Sequence, residues 1–437
     1  LHSVFAEITP GRAGSFASLN FYDYSMNQFQ PTLSEDLSVT PFTSAEIDAL
    51  RRDTPGCSHV VHLNYAGAGL MPTPVIQALH DHLDLEARIG GYEASALREH
   101  EVQSFYTQAA RLLTTKPGNI AFTSSATDSY SRALSSIRFR RDDVILTTQD
   151  DFVSNQIQFL SCQKRFGVQV VHVENAPEGG VSLEDLDLKL RVLRPRLLAI
   201  THVPTNAGLV QPVYAIGKIA AQYPETYYLL DACQSAGQMT LDVQRLHCDF
   251  LSVTTRKFLR GPRGTGFLYI SDKALHAGLE PLFLDMRGAT WKEKGRYVPQ
   301  PDAKRFEDWE FAYALVLGSS KAIEYCLAIG EDRIERRVKM LANHLRQGLQ
   351  SLPGVRVLDH GPEVCGLVTF TVTGGEPVSL VQQLRNQHIN IVPSYRDFAV
   401  LDFDEKGVSW ALRASPHYLT TIEELDFFLS CFKKLIQ

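Results

Sequence analysis

The sequence predicts an α/β fold: a large domain built on a mostly parallel sheet, then a smaller α/β carboxy-terminal domain. Three observations carry this expectation. Apolar, β-prone runs recur between residues 119 and 270 and alternate with helix-like stretches, the pattern of strands joined by crossover helices. Runs such as 197–203 and 227–230 are hydrophobic on both faces, which suits strands covered by helices on both sides. Polar residues follow these runs at Ser125, Asp151, Asn206 and Asp231, beyond the carboxyl ends where open α/β sheets bind ligands.

In chain order, residues 1 to about 40 are rich in Ser, Pro, Asn and aromatics, without periodicity, and read as an extended arm. From Thr43 a short capped helix runs to a glycine stop at Gly56. Residues 62–72, His-Leu-Asn-Tyr-Ala-Gly-Ala-Gly-Leu-Met-Pro, form a turn whose small residues let backbone approach a ligand. A helix over 74–88 breaks at Gly90-Gly91, and a longer one continues to about 113. The strand at 119–124 leads into Ser125-Ala-Thr-Asp128, a strand-to-helix turn with free N–H groups, a favourable dipole and a hydroxyl, suited to a phosphate. The strand at 143–148 delivers Asp151, Phe152 and Asn155. After a strand at 169–173, Ser182 caps a helix with a capping-box-like pattern. The strand at 197–203 ends near Asn206, with His202 read as a packing residue. A crossover helix over 212–223 precedes the strands that present Asp231 and Lys257. Helices over 307–329 and 332–349 lead to strands at 355–358, 366–372, 389–393 and 408–414, an antiparallel-rich set, and a last helix starts at Thr421. The expected partition is an amino-terminal segment 1–60, a large domain 61–320 and a small domain 321–437.

Composition narrows the function. The 437 residues are 44% hydrophobic and 21% charged, an ordinary globular balance with room for two domains. A net charge of −6 without a basic tract argues against nucleic acid as a main partner. No apolar run is long enough to span a membrane, so no membrane partner is expected. The seven cysteines are scattered and include no C-x-x-C pair, so neither a disulfide framework nor a metal site is indicated. A reduced, cytoplasmic setting is the default expectation; the start at Leu1 rather than Met leaves a removed targeting peptide open.

Two side chains concentrate the chemistry. Asp231 ends one buried run, and Lys257 closes another beside Arg256 and close to Arg260. Burial and neighbouring cations both lower a lysine's pKa and make its amine a better nucleophile. An acid that keeps a ring nitrogen protonated and a lysine that forms a Schiff base are what pyridoxal 5′-phosphate (PLP) requires. Spacing alone also allows a buried ion pair in an unrelated α/β protein. The neighbouring residues decide. Asp231-Ala-Cys-Gln234, Thr254-Thr-Arg256-Lys257 and Gly261-Pro-Arg-Gly264-Thr-Gly266 resemble the class V aminotransferase family. These are fold-type I PLP enzymes that include cysteine desulfurases, isopenicillin N epimerase-like proteins and ergothioneine-pathway C–S lyases. The likeness covers roughly residues 60 to 425.

The resemblance implies a seven-stranded sheet in the large domain and a role for each matching residue. Lys257 would anchor PLP and, once an amino acid has taken its place in an external aldimine, abstract the α-proton. Asp231 would pair with the ring nitrogen and Gln234 with O3′. Ser125, Ala126, Thr127, Thr254 and Arg256 would bind the phosphate. Phe152 stands where desulfurases carry a histidine; it can stack on the ring but cannot move a proton. Asn206 would approach O3′ and the substrate carboxylate, and Arg413 would carry that carboxylate through two parallel N–H donors. Asn64, Tyr65 and Ala68 would line the substrate side, with Tyr395 as a recognition group or a second acid/base.

Two departures stand out. The Gly-Thr-Thr-Glu of relatives reads Ser125-Ala-Thr-Asp128 here, which keeps the amides. Their Phe-Glu-x-Gly-Thr reads Phe306-Glu-Asp-Trp-Glu310, which removes a phosphate contact from a second subunit; Arg287, Thr290 and Trp309 are candidates to replace it. A homodimer is implied, with the Gly90-Gly91 loop and residues 283–300 at the contact.

Between Ile391 and Val408, where a desulfurase needs a mobile cysteine, none occurs; Cys365 and Cys233 lie on other segments. The expected reaction on a small amino acid is therefore β-elimination at the C–S bond of a cysteine conjugate or its S-oxide, in line with the likeness of residues 256–264 to the C–S lyase branch. An aminotransferase, an epimerase and a non-catalytic PLP-fold binding protein are the alternatives.

Overall fold

The apolar runs resolve into one seven-stranded sheet. The computed structural model of the protein describes residues 40–437, and the arm expected over residues 1 to about 40 lies outside them. Strands β1 (Ile120–Thr123), β2 (Val144–Thr148), β3 (Gln169–Val173), β4 (Leu197–Thr201), β5 (Tyr227–Asp231), β6 (Phe250–Thr254) and β7 (Gly266–Ile270) lie in the order β1-β7-β6-β5-β4-β2-β3. All run the same way except β7, which is antiparallel to both neighbours. The reason is local. Strands β1 to β6 are joined through helices, which return the chain to the same edge, whereas the short glycine-containing turn after Lys257 sends β7 straight back along β6.

Successive side chains on a strand face opposite sides. Leu229 therefore joins one apolar cluster with Ile145, Ala199 and Phe250, while Leu230 joins another with Leu146, Ile200 and Leu251. Both faces are covered, so the ligand-accessible part of the sheet is its carboxyl edge. Strand β3 is the partly exposed margin of the sheet.

Strands β8 (Val355–Val357), β9 (Val368–Val372), β10 (Val392–Tyr395) and β11 (Trp410–Ala414) form a second sheet, ordered β8-β9-β11-β10 and antiparallel throughout. It packs against helices Glu331–Gln350, Pro377–Asn386 and Ile422–Leu435 through Leu345, Leu384, Phe428 and Phe370.

Several local expectations shift. The helix Ser44–Arg52 has the capping box of Thr43 and Glu46 but stops at Asp53, before Gly56. Thr54 precedes Pro55 and is extended, as a residue before proline prefers. Gly90 breaks the preceding helix at φ +97°, yet Gly91 opens a helix, Gly91–Leu97, instead of a loop. The run expected as one strand at 389–393 divides: Ile389–Asn390 pairs in parallel with Val61–His62, and β10 begins at Val392. Together with a bridge between Asn64 and Ser415, this ties the turn after His62 to the carboxy-terminal sheet. Among the described residues no helix is long and apolar enough to cross a membrane.

Candidate active site

Strands β1, β2, β4, β5 and β6 end at one edge, and the residues following them meet in one cleft. Ser125, Ala126 and Thr127 enter from β1, and Phe152 from β2. Asp231, Cys233 and Gln234 come from β5, and Thr254, Arg256 and Lys257 from β6. Nine of the ten residues expected to hold the cofactor are thus brought together; Asn206 is the exception. Thr201, Val203 and Thr205 also line the cleft and were missed. Their spacing of two at the end of β4 is the signal that could have found them.

Asp231 is buried and fixed. Its Oδ1 accepts the Cys233 N–H at 2.9 Å, and its Oδ2 accepts Asn155 Nδ2 at 3.1 Å. Asn155 also donates to Asp151 Oδ1 at 3.0 Å, and Asp151 takes further donors from Gln156, Thr201 and the Phe152 N–H. This network orients the acid and, through the Phe152 backbone, the aromatic face expected to cap the ring. Burial raises the pKa of the Asp151 carboxyl, against the hydrogen bonds that lower it.

The end of the cleft expected to take a phosphate is backbone-built. Ser125 is the N-cap of helix Ala126–Ser136, its hydroxyl accepting the Asp128 N–H at 3.1 Å. The first helical N–H groups, of Ala126 and Thr127, have no intrahelical acceptor. Asp128 binds Arg132 at 2.7 Å and reaches back to Ser124, so it serves the helix and not the cleft. Gly266 is required for this approach: a Cβ there would lie 2.6 Å from the Ala126 nitrogen.

Three cations crowd the same place. Lys257 is 8% exposed, and burial draws its ammonium pKa down to about 8, with Arg256 and Arg413 acting in the same direction and Cys233 and Asp231 against. Arg256 helps as expected, and the second helping cation is Arg413, not Arg260. That residue is buried elsewhere, donating to Leu70 O at 2.8 Å and to Thr54 and Tyr418. Arg413 is drawn down to about 10 by burial and by Arg256. Its Nη1 donates to Thr205 O at 2.9 Å, but its buried Nε has no partner. Arg256 donates to the Gly67 carbonyl and has no carboxylate partner among the described residues.

Other expectations are corrected. Tyr65 is 1% exposed and packed between His62 and His417, each ring 4.8 Å away. It is a core residue, because the bridge from Asn64 to Ser415 turns it inward, and it does not line the substrate side. Asn64 and Ala68 instead shape the turn: Asn64 O accepts the N–H groups of Gly67 and Ala68 at 3.0 Å. That turn is wired to the cleft, since Gln234 Nε2 donates to Ala66 O at 3.2 Å and the Gly69 N–H donates to Arg256 O at 2.7 Å. The amide of Asn206 is spent on the small-domain segment, on Ser394 and on Phe398 O at 3.1 Å. Tyr395 ends β10 with its ring against Phe398, centroids 6.1 Å apart, and does not line the cavity around Lys257. Arg287 is locked to buried Glu307 at 2.6 Å, which removes it as a reaching group, while Thr290 and Trp309 stay exposed. His202 is buried, and its pKa is drawn down to about 3 by desolvation, which fits packing and not catalysis.

These features fit PLP. A phosphate would meet the free amides of Ala126 and Thr127 and the Arg256 charge. Lys257 supplies an amine of lowered pKa, Asp231 a fixed acid, and the orphaned Gln234 Oε1 and Arg413 Nε are polar groups awaiting partners. Fold and site together define a fold-type I PLP enzyme. Residues 61–428 match the family described as Aminotransferase class-V, and the chain belongs to that family. It is 27% identical over 399 residues to a "Probable cysteine desulfurase" of Pyrococcus abyssi, covering 89% of this chain and 97% of that one. A protein of the same name from Methanothermobacter thermautotrophicus is 28% identical over 392 residues, covering 86% and 95%. Among solved structures, apo cysteine desulfurase from Thermococcus onnurineus NA1 superposes with a TM-score of 0.82 at 26% identity, covering 89% of this chain and 98% of that one. The cystine C–S lyase C-DES, in complex with its product cysteine persulfide, gives 0.78 at 25%, covering 87% and 99%.

One buried acid next to the site carries a pH signature. Asp150 precedes Asp151 and is buried near Asp402 of helix Val400–Lys406; burial and then the Asp402 carboxylate push its pKa up to about 8, with Glu405 acting in the same direction and Lys406 against. An acid whose folded pKa is raised stabilises the fold fully below its unfolded value, near 4, and loses that contribution as pH climbs to about 8. Asp150→Asn should flatten this fall. Thermal melts between pH 5 and 8 should show wild type losing stability steeply and the variant little; parallel curves would refute the raised pKa.

Proposed function

We propose that the protein cleaves the C–S bond of cysteine or a cysteine-derived amino acid with PLP as cofactor, desulfuration of cysteine being the leading form. The observation that carries the anionic-cofactor part is the trio of buried Lys257 and Arg413 with half-buried Arg256, none in an ion pair with a carboxylate among the described residues. Buried unpaired cations are costly; a phosphate at one end and a substrate carboxylate at the other neutralise them. The relatives' names supply the sulfur. They move the reading away from the conjugate or S-oxide lyase expected from residues 256–264.

Bound PLP supplies the electron sink that weakens bonds at the substrate α-carbon. The protein's residues do the rest. Asp231, held by Asn155 and the Cys233 N–H, keeps the ring nitrogen protonated. Arg413 orients the carboxylate through its unpartnered Nε. Lys257, near pKa 8, is partly neutral at physiological pH and takes the α-proton at Nζ. Phe152 has no proton to give, so this transfer falls to Lys257 alone.

Elimination from cystine or a thioether is the second reading, and two observations favour it. No cysteine lies between Ile391 and Val408. Cys233, which does line the cleft, has its thiol pKa pushed well up by burial and by Asp231, the opposite of a ready sulfur acceptor. Product analysis decides. With L-cysteine and an added thiol, desulfuration passes the sulfur to that thiol as a persulfide and releases alanine; with L-cystine or a thioether, elimination with water releases pyruvate, ammonia and the persulfide or thiol leaving group. Alanine equal to the sulfur released supports the leading form, and pyruvate with little alanine selects the second. A keto acid that retains the whole substrate skeleton would overturn both.

A further inference from the structure

We infer that Asn206 is a positioning residue in this chain: it clasps the small-domain segment 394–398 to the loop that holds Arg413, and so governs capture of the substrate carboxylate and not the state of the cofactor ring. The inference rests on the function proposed above for its spectroscopic arm.

Asn206 is 2% exposed, and both ends of its amide are engaged. Ser394 Oγ donates to its Oδ1, and its Nδ2 donates to Phe398 O at 3.1 Å. Ser394 is itself buried on β10, paired with Ala411 of β11. One residue before the clasp, Thr205 lines the cleft and its carbonyl accepts Arg413 Nη1 at 2.9 Å. Arg413 also lies on β11, opposite Val392 of β10. Residues 205 and 206 are thus gripped twice from the small domain, by the carboxylate anchor and by the segment carrying Tyr395 and Phe398. Held by protein at both ends, the amide is fixed in orientation with one N–H uncommitted, and Asn206 is not among the residues lining the cleft around Lys257. Losing the clasp would free the segment and leave a buried Ser394 hydroxyl and Phe398 carbonyl to find water.

The test uses the purified holoenzyme and two variants, Asn206→Ala and Ser394→Ala. Ser394 contacts Asn206 from the small domain and serves as the second arm. Both variants should raise KM for the amino acid about tenfold. The double variant should be little worse than the poorer single one, since both remove one interaction. The pH midpoint of the cofactor's visible absorbance should not move in either variant. Amide hydrogen exchange over residues 394–406 should quicken in both. A shifted midpoint in Asn206→Ala, with Ser394→Ala like wild type in KM and exchange, would overturn the clasp and give Asn206 a direct contact with the ring. If wild type shows no visible absorbance with PLP, the cofactor reading fails, and exchange over 394–406 still decides the clasp: faster in both variants supports it, unchanged refutes it.

Discussion

Lys257→Ala should abolish the borohydride-fixable bond between PLP and the chain and lower kcat by at least about 10³-fold. The loss is large because, in the proposed mechanism, one amine does two things: it anchors the cofactor covalently and takes the α-proton. The amine is suited to both, since burial has drawn its pKa down to about 8. A folding defect is not expected to confuse the result. Lys257 makes no ion pair among the described residues, so the variant deletes a buried charge that is a cost in the empty cleft. The melting temperature of the cofactor-free variant should therefore match or exceed that of wild type. Borohydride reduction that fixes the cofactor to another lysine would end the assignment.

Asp231→Ala should keep the fold and cut kcat by about 10²–10³-fold, the usual cost of removing one pre-oriented electrostatic partner from an active site. The acid needs no rearrangement to act, because Asn155 at 3.1 Å and the Cys233 N–H at 2.9 Å already hold both its oxygens. Asp231→Asn separates charge from shape: it keeps the volume and should lose nearly as much. PLP should also bind both variants more weakly, read by equilibrium dialysis. Full activity in Asp231→Asn would mean that the ring nitrogen does not need an acid here.

Strand-end chemistry was legible because it is local. Asp231 and Lys257 follow apolar runs, and Ser125 opens a helix; each placement depends on a few adjacent residues, and all three line one cleft. Tyr65 was misplaced for a non-local reason, the pairing of Asn64 with Ser415 some 350 residues on. Arg260 looked like a neighbour of Lys257 by number. Its left-handed backbone, φ +61°, instead sends the side chain toward Thr54 and Tyr418. Asn206 sits where expected along the chain, but its amide was claimed by Ser394 and Phe398, which only folding brings near.

The sequence by itself determined the layered α/β plan and the placement of Asp231, Lys257 and Ser125 at strand ends, since strand periodicity and strand-end residues are properties of short windows. Only the tertiary structure decided which cations surround Lys257, that Asn155 orients Asp231, and that Asn206 faces the small domain. Those outcomes depend on contacts between segments far apart in the chain, where burial strips water from charged and polar groups and makes the identity of each neighbour decisive.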